Sequence, residues 1–269
     1  MSSVETALAH LGAFDDLARR DTPAARLDPR TKVLATLAFV AVVASFGRTE
    51  LGRLAPLAAF PLALAALGDV PARAVLVRLA IASPFALGVA AFEPFLHRAP
   101  AAAVGPVILS EGTLAFLTIL AKFALTLGAA LVLVATTGFD EVCRGLRSLG
   151  APRVLVTQLG LTYRYLFVLA DEASRLVRAH GLRADGRRPT SRVAGALLGQ
   201  LLLRALARAE RVHVAMRCRG FDGWFPVRHA ASFAMRDLAF ATATAALLAV
   251  ARGVDLAGWA GRLLAGAGG

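Results

Sequence analysis

LAFLTILAKFALTLGAALVLVATT, residues Leu114–Thr137, is a run of 24 residues carrying a single charge, Lys122. A helix that crosses the hydrocarbon of a bilayer needs about 20 such residues. Inside lipid the backbone has to satisfy its own hydrogen bonds, so a run of this kind is read as a membrane-spanning helix. Four other apolar runs surround it. Val33 to Phe46 is short, but Lys32 and Arg48 can reach outward and relieve the mismatch. Leu54 to Leu67 holds Pro56 and Pro61, and Val75 to Phe92 holds Arg78 and Pro84. His229 to Val250 carries Arg236 and Asp237 early. The prolines predict kinks or breaks, which membranes tolerate where neighbours take up the freed carbonyls. Glu93 to Gly112, with Pro94, Pro100, Gly105 and Pro106, reads as a loop with a short re-entrant or interfacial stretch at Ala101 to Leu109. The expected fold class is an all-α membrane protein of five or six transmembrane helices plus long amphipathic cytoplasmic helices.

Composition agrees. The 269 residues are 57% hydrophobic, against about 45–50% for a soluble domain. Residues 1–30 carry Asp15, Asp16, Arg19, Arg20, Asp21 and Arg26 without an apolar core, so no signal peptide is read there and the run from Val33 is a retained span.

The charge is concentrated. Between Arg144 and Arg219 there are 15 arginines and four acids, a local +11 out of a net +12. Basic residues gather on the cytoplasmic side of membrane proteins, so this segment is expected in the cytoplasm. A nucleic-acid surface is disfavoured, because the arginines alternate with long apolar runs and there is no aromatic platform or zinc spacing. Cys143 and Cys218 give no CxxC pair, and His10, His97, His180, His213 and His229 show no ligand spacing. No metal site, cofactor or catalytic residue is expected. Lys122 could mark a substrate path, as charges within a membrane often do, but the favoured reading is that it points into the bundle or reaches the interface. Arg236 and Asp237, being adjacent, cannot face each other on one helix, so each pairs elsewhere or sits at the interface. The expected domains are 1–142 (N-terminal region and spans), 143–226 (cytoplasmic helices) and 227–269 (last span and tail).

Within the basic segment two helices are predicted, about 153–180 and about 192–217, separated by a turn-rich break from Gly181 to Ser191. The second carries an apolar stripe of Leu201, Ala205, Ala209, Val212 and Met216, beside Arg204, Arg208 and Arg211. The two helix ends echo one another at an offset of 36: Arg175 meets Arg211, Ala179 meets Ala215, and Arg183 meets Arg219. Asp185-Gly186 and Asp222-Gly223 follow. An arginine near a helix C-terminus is favoured by the helix dipole at about 0.3–1 kcal/mol. Two with matching neighbours equally suit the capture of carboxylates on a two-fold partner, since a guanidinium fork binds carboxylate in a bidentate way.

Several stretches resemble the transmembrane T component of energy-coupling factor transporters, cobalt/nickel type (the CbiQ family). They are Leu27-Asp28-Pro29-Arg30-Thr31-Lys32, Ala135-Thr136-Thr137, Tyr163-Arg164-Tyr165 with Asp171-Glu172, Gly199-Gln200-Leu201-Leu202-Leu203-Arg204, and Ala215-Met216-Arg217-Cys218-Arg219-Gly220-Phe221. The resemblance implies two coupling helices ending in arginine motifs that dock on a pair of cytoplasmic ATPase subunits. By position these are Leu182-Arg183-Ala184 and Cys218-Arg219-Gly220. The commonest family form is Ala-Arg-Gly. The second motif departs from it at Cys218 and the first at both flanks, so Arg178 and Arg187 are alternative carriers of the first role. The resemblance also implies a small membrane subunit that captures substrate, a multi-pass location in a bacterial inner membrane, and no ATP or metal site in this chain. The sliding surface is expected among small residues: Gly195, Ala196, Gly199, Ala205 and Ala209. A vitamin transporter of the same architecture is the alternative. A membrane-embedded lipid enzyme is disfavoured by the lack of an acidic or histidine motif.

Overall fold

A computed structural model describes residues 17–18, 20–96, 100–104, 107–186, 189–223 and 234–253. His10, His97, His229, Arg187, Arg188 and the readings of 1–16 and 254–269 lie outside the described residues. The chain forms two compact units, which exchange at Gly138 and again after Gly223.

In the first unit each apolar run becomes a helix whose ends are set by local chemistry. Helix α1 (Pro29–Ser45) starts on Asp28, whose side chain accepts the N–H of Arg30, with Pro29 in the first turn. Helix α2 (Leu51–Leu67) contains a 3₁₀ turn, Ala55–Ala58, around Pro56. Pro61 falls in the first turn of its last segment, Ala59–Leu67, where a missing N–H costs little. Helix α3 (Ala72–Ala90) runs through Pro84 without a break. Pro84 frees the carbonyl of Ala80, and Ser83 Oγ donates to that carbonyl at 2.8 Å.

The loop region holds a short helix, α4 (Glu93–Leu96), and an antiparallel hairpin, β1 (Pro100–Val104) and β2 (Val107–Ser110), where a loop with a re-entrant stretch was expected. Helix α5 (Glu111–Thr137) starts on Ser110, whose hydroxyl accepts from the N–H of Thr113. Helix α9 (Met235–Gly253) closes the unit. Among the described helices α3 and α5 are long and apolar enough to cross a membrane, and α2 is a shorter apolar helix. With the family assignment below, the chain is an all-α membrane protein.

The core of this unit draws on α1, α2, α5 and α9. Phe39 and Phe60 stack at 4.7 Å, and Phe60 meets Phe240 at 6.4 Å. Val43, Leu54, Leu57, Leu64, Ala129, Val132 and Ala251 are buried around them. Lipid tails are as apolar as leucine, so close packing holds such helices together more than water exclusion does. Lys122 Nζ donates to the carbonyl of Phe46 at 2.6 Å, covering the end of α1. Lys122 thus closes a helix end, in line with its bundle-facing reading.

The arginine-rich unit is built from α6 (Phe139–Ser148), α7 (Arg153–Arg183) and α8 (Ser191–Cys218). Helix α6 was not expected. It is strongly amphipathic, with Cys143 buried and Asp140, Arg144 and Arg147 on its charged side. Phe139 stacks on Tyr163 of α7 at 4.3 Å, and Tyr163 meets Phe167 edge-on at 5.2 Å. Helix α7 continues through Gly181, where a break was expected. The stop comes only where Asp185 and Gly186 take left-handed conformations.

Candidate functional site

Helices α7 and α8 run antiparallel. Glu172 of α7 pairs with Arg204 of α8 near the middle, and Thr157 Oγ1, near the start of α7, donates to Gly223 O beyond the end of α8 at 3.4 Å. A cleft at the crossing is lined by Val168, Asp171, Glu172, Arg175 and Arg208. The hydrogen bond from Arg204 holds the Glu172 carboxyl below the usual glutamate range, with Arg175 and Arg208 adding to the effect. Full burial is rare here. Ser174 is the one buried residue of α7, and α8 has none among the described residues. Of the predicted stripe, Leu201, Ala205, Val212 and Met216 are half-buried, while Ala209 is exposed and Arg208 takes its inward place.

The antiparallel arrangement sends the two arginine tips to opposite ends. From Thr157 to Arg183 the helix runs about 40 Å at 1.5 Å per residue, and that is the scale separating the two tips. Both tips are sealed. At the end of α8 the N–H of Phe221 bonds to Met216 O and that of Gly220 to Arg217 O, both at 3.0 Å, with Gly220 at φ +80. These are the paired bonds of a Schellman cap. At the end of α7 the N–H of Gly186 bonds to Gly181 O at 2.8 Å, and Asp185 takes the left-handed position at φ +50. At the α7 tip Leu182 is 87% exposed and Arg183 is exposed, with Ala184 half-buried; at the α8 tip Cys218, Arg219 and Gly220 are exposed.

The caps reveal a register difference that the sequence echo hides. Matching the left-handed residues Asp185 and Gly220 sets Arg183 against Cys218, not against Arg219. Arg183 is the last helical residue of α7, whereas Arg219 is the first residue beyond α8. One residue is about 100° of rotation on a helix. The two guanidiniums therefore leave their helix stops in different directions.

A second cluster lies at one end of the first unit and was not anticipated as a unit. Lys32 is 1% exposed, and its Nζ donates to the carbonyls of Ala24 at 3.0 Å and Thr136 at 3.3 Å. Asp237 is equally buried. Its Oδ1 accepts the N–H of Asp28 at 2.7 Å and its Oδ2 that of Ala234 at 2.8 Å. Both carboxylates lie within electrostatic reach of the ammonium. The Leu27–Lys32 stretch was the one available signal, but nothing in it names Asp237 as a partner. Among the described residues no group of three or more His, Cys, Asp or Glu side chains is placed to hold a metal ion.

The family model described as "Cobalt transport protein", CbiQ, matches residues 20–233. The chain belongs to the CbiQ family. Similar proteins include the nickel permease LarQ of Lactiplantibacillus plantarum, 33% identical over 107 residues, or 39% of this chain and 38% of that one. The cobalt transport protein CbiQ of Rhodobacter capsulatus is 34% identical over 93 residues, 34% of this chain and 38% of that one. An uncharacterized protein of Methanocaldococcus jannaschii, MJ1571, is 26% identical over 138 residues, 48% of this chain and 46% of that one. The matched stretch is thus less than half the length of each of these relatives. The CbiQ family match takes in both arginine tips and Lys32, and stops short of Asp237.

Proposed function

We propose that this CbiQ-family chain is the transmembrane coupling subunit of an ATP-driven cobalt or nickel uptake transporter. The observation that carries the reading is the pair of long helices, α7 and α8, each ending in a sealed tip with an exposed arginine. Leu182, Arg183 and Ala184 on one tip, and Cys218, Arg219 and Gly220 on the other, would dock on a pair of cytoplasmic ATPase subunits. A separation of about 40 Å along α7 suits two grooves on two subunits better than one groove on one. A guanidinium held by a rigid helix end loses little freedom when it takes a carboxylate. Relatives named for cobalt and nickel transport support the cargo.

The substrate-capture subunit would be a membrane protein whose cytoplasmic side meets the open face of α8. That face offers Gly195, Ala196, Gly199 and Ala209 with Leu198, Leu202 and Leu206, all exposed. Small residues allow close, shifting helix contacts; Ala205 is half-buried and turned to the other side. Helices α1, α2, α3, α5 and α9 would be the spans of a multi-pass inner-membrane protein, with the α6–α8 unit in the cytoplasm and ATP hydrolysis left to the partner.

The test is co-purification of the detergent-solubilised chain with its ATPase, wild type against Arg183→Glu combined with Arg219→Glu. Loss of the complex, with the chain still folded and in the membrane, is the expected result. Survival of the complex would reduce both arginines to helix caps.

A further inference from the structure

The buried Asp28–Lys32–Asp237 node lies within the first unit, and it holds described residues on either side of that unit's break in sequence. The chain leaves the first unit at Gly138, and Lys32 holds the carbonyl of Thr136, two residues earlier. It has returned by Ala234, and Asp237 holds the N–H of that residue. The other oxygen of Asp237 holds the N–H of Asp28, the cap of the helix that carries Lys32. One helix start thus holds the first unit's chain just before it leaves and soon after it returns.

Helix ends ordinarily fray, opening locally at little cost. Here the last turn of α5 and the first turn of α9 are tied by hydrogen bonds to charged groups in a site closed to water. Such bonds are worth more than exposed ones, and removing one partner leaves a buried charge uncompensated. The first residue past the grip is Gly138, at φ +77 and ψ 149, a conformation open essentially to glycine alone.

We infer that Lys32 and Asp237 are positioning residues that make these two points of the first unit a stationary base, so that movement of the α6–α8 unit starts at Gly138 and is not dissipated in unwinding of α5 and α9. The inference rests on the coupling role proposed above.

The experiment uses the complete transporter in proteoliposomes, reading cobalt uptake and ATP hydrolysis together for wild type, Lys32→Met and Asp237→Asn. Coupling energies within proteins of 0.5–2 kcal/mol correspond to an expected fall in uptake per ATP of about 2–30-fold, with assembly and hydrolysis kept. If uptake per ATP is unchanged, or uptake falls only as hydrolysis falls, the node is structural and the inference fails. Should the variants not accumulate, hydrogen exchange on the wild-type complex decides. The amides of Asp28 and Ala234 stay equally protected with and without ATP if the base is stationary, while protection changes from residue 139 onward. Faster exchange at Asp28 and Ala234 on ATP binding would overturn it. Failure of the wild-type chain to assemble with an ATPase is a separate outcome, and it removes the coupling role itself.

Discussion

Gly138 shows what a single residue is asked to do. Its N–H closes α5 by bonding to Val134 O at 2.8 Å, and the next residue already belongs to α6. No side chain is compatible with its backbone angles without strain, and a Cβ would also press on that of Ala18 at 3.3 Å. Gly138→Ala is expected to lower stability by about 1–3 kcal/mol, read as a lower thermal midpoint of the purified chain in detergent. Sequence reading passed over this glycine, because a Gly after an apolar run signals a helix stop without saying which backbone region it occupies. Lys32 and Asp237 were equally hard to see. Each was visible as a charge beside a span, but the site they share with Asp28 joins Asp28 to Asp237, 209 apart in the chain. The arginine tips were legible as residues. Their different registers were not, because the echo aligns side chains while the caps align backbones.

Elements were far easier to read than the contacts between them. Apolar runs located α1, α2, α3 and α5 to within a few residues, since a membrane imposes length and composition together; α7 and α8 followed from the basic segment and its turn-rich break, and the run from His229, which begins outside the described residues, covers most of α9. Helix α6 escaped because its ten residues carry a mixed charged sequence, and the hairpin at 100–110 escaped because Pro100, Gly105 and Pro106 read as loop. Helix α7 outran its expected end because one glycine inside a helix costs only about 1 kcal/mol, whereas Asp185-Gly186 offers a complete stop. The α7–α8 crossing adds an exposed ion pair to its half-buried apolar stripe. Glu172 titrates below the ordinary glutamate value of about 4.3 because of Arg204. A depressed carboxylate contributes fully above its unfolded value and loses that contribution as pH falls through the folded one. The crossing is therefore expected to hold at neutral pH and to loosen on acidification below about pH 4. Spin labels on α7 and α8 would report a broader distance distribution there. An unchanged distribution would mean that packing carries the crossing instead.

For the whole molecule, the local +11 is a statement of orientation. The two cysteines make it measurable. Cys218 is exposed at the tip of α8, whereas Cys143 is buried and its thiol is pushed up to about 11 by that burial. At neutral pH a thiol reagent needs thiolate and access, so Cys218 is the reporter. A membrane-impermeant maleimide is expected to label inside-out vesicles and spare right-side-out ones, with Cys218→Ser abolishing the signal. Labelling from the outer side would reverse the topology.

Helix α8 has one more consequence. A stretch of 28 residues with nothing buried among the described residues has its stability on deposit elsewhere. On the coupling role proposed above, copies of this chain made in excess of the proposed partners would display leucine-rich helix to the cell's proteases, and such orphans would be cleared. The abundance of the subunit would then follow the supply of its companions, so that stoichiometry is enforced after synthesis by what each chain leaves uncovered.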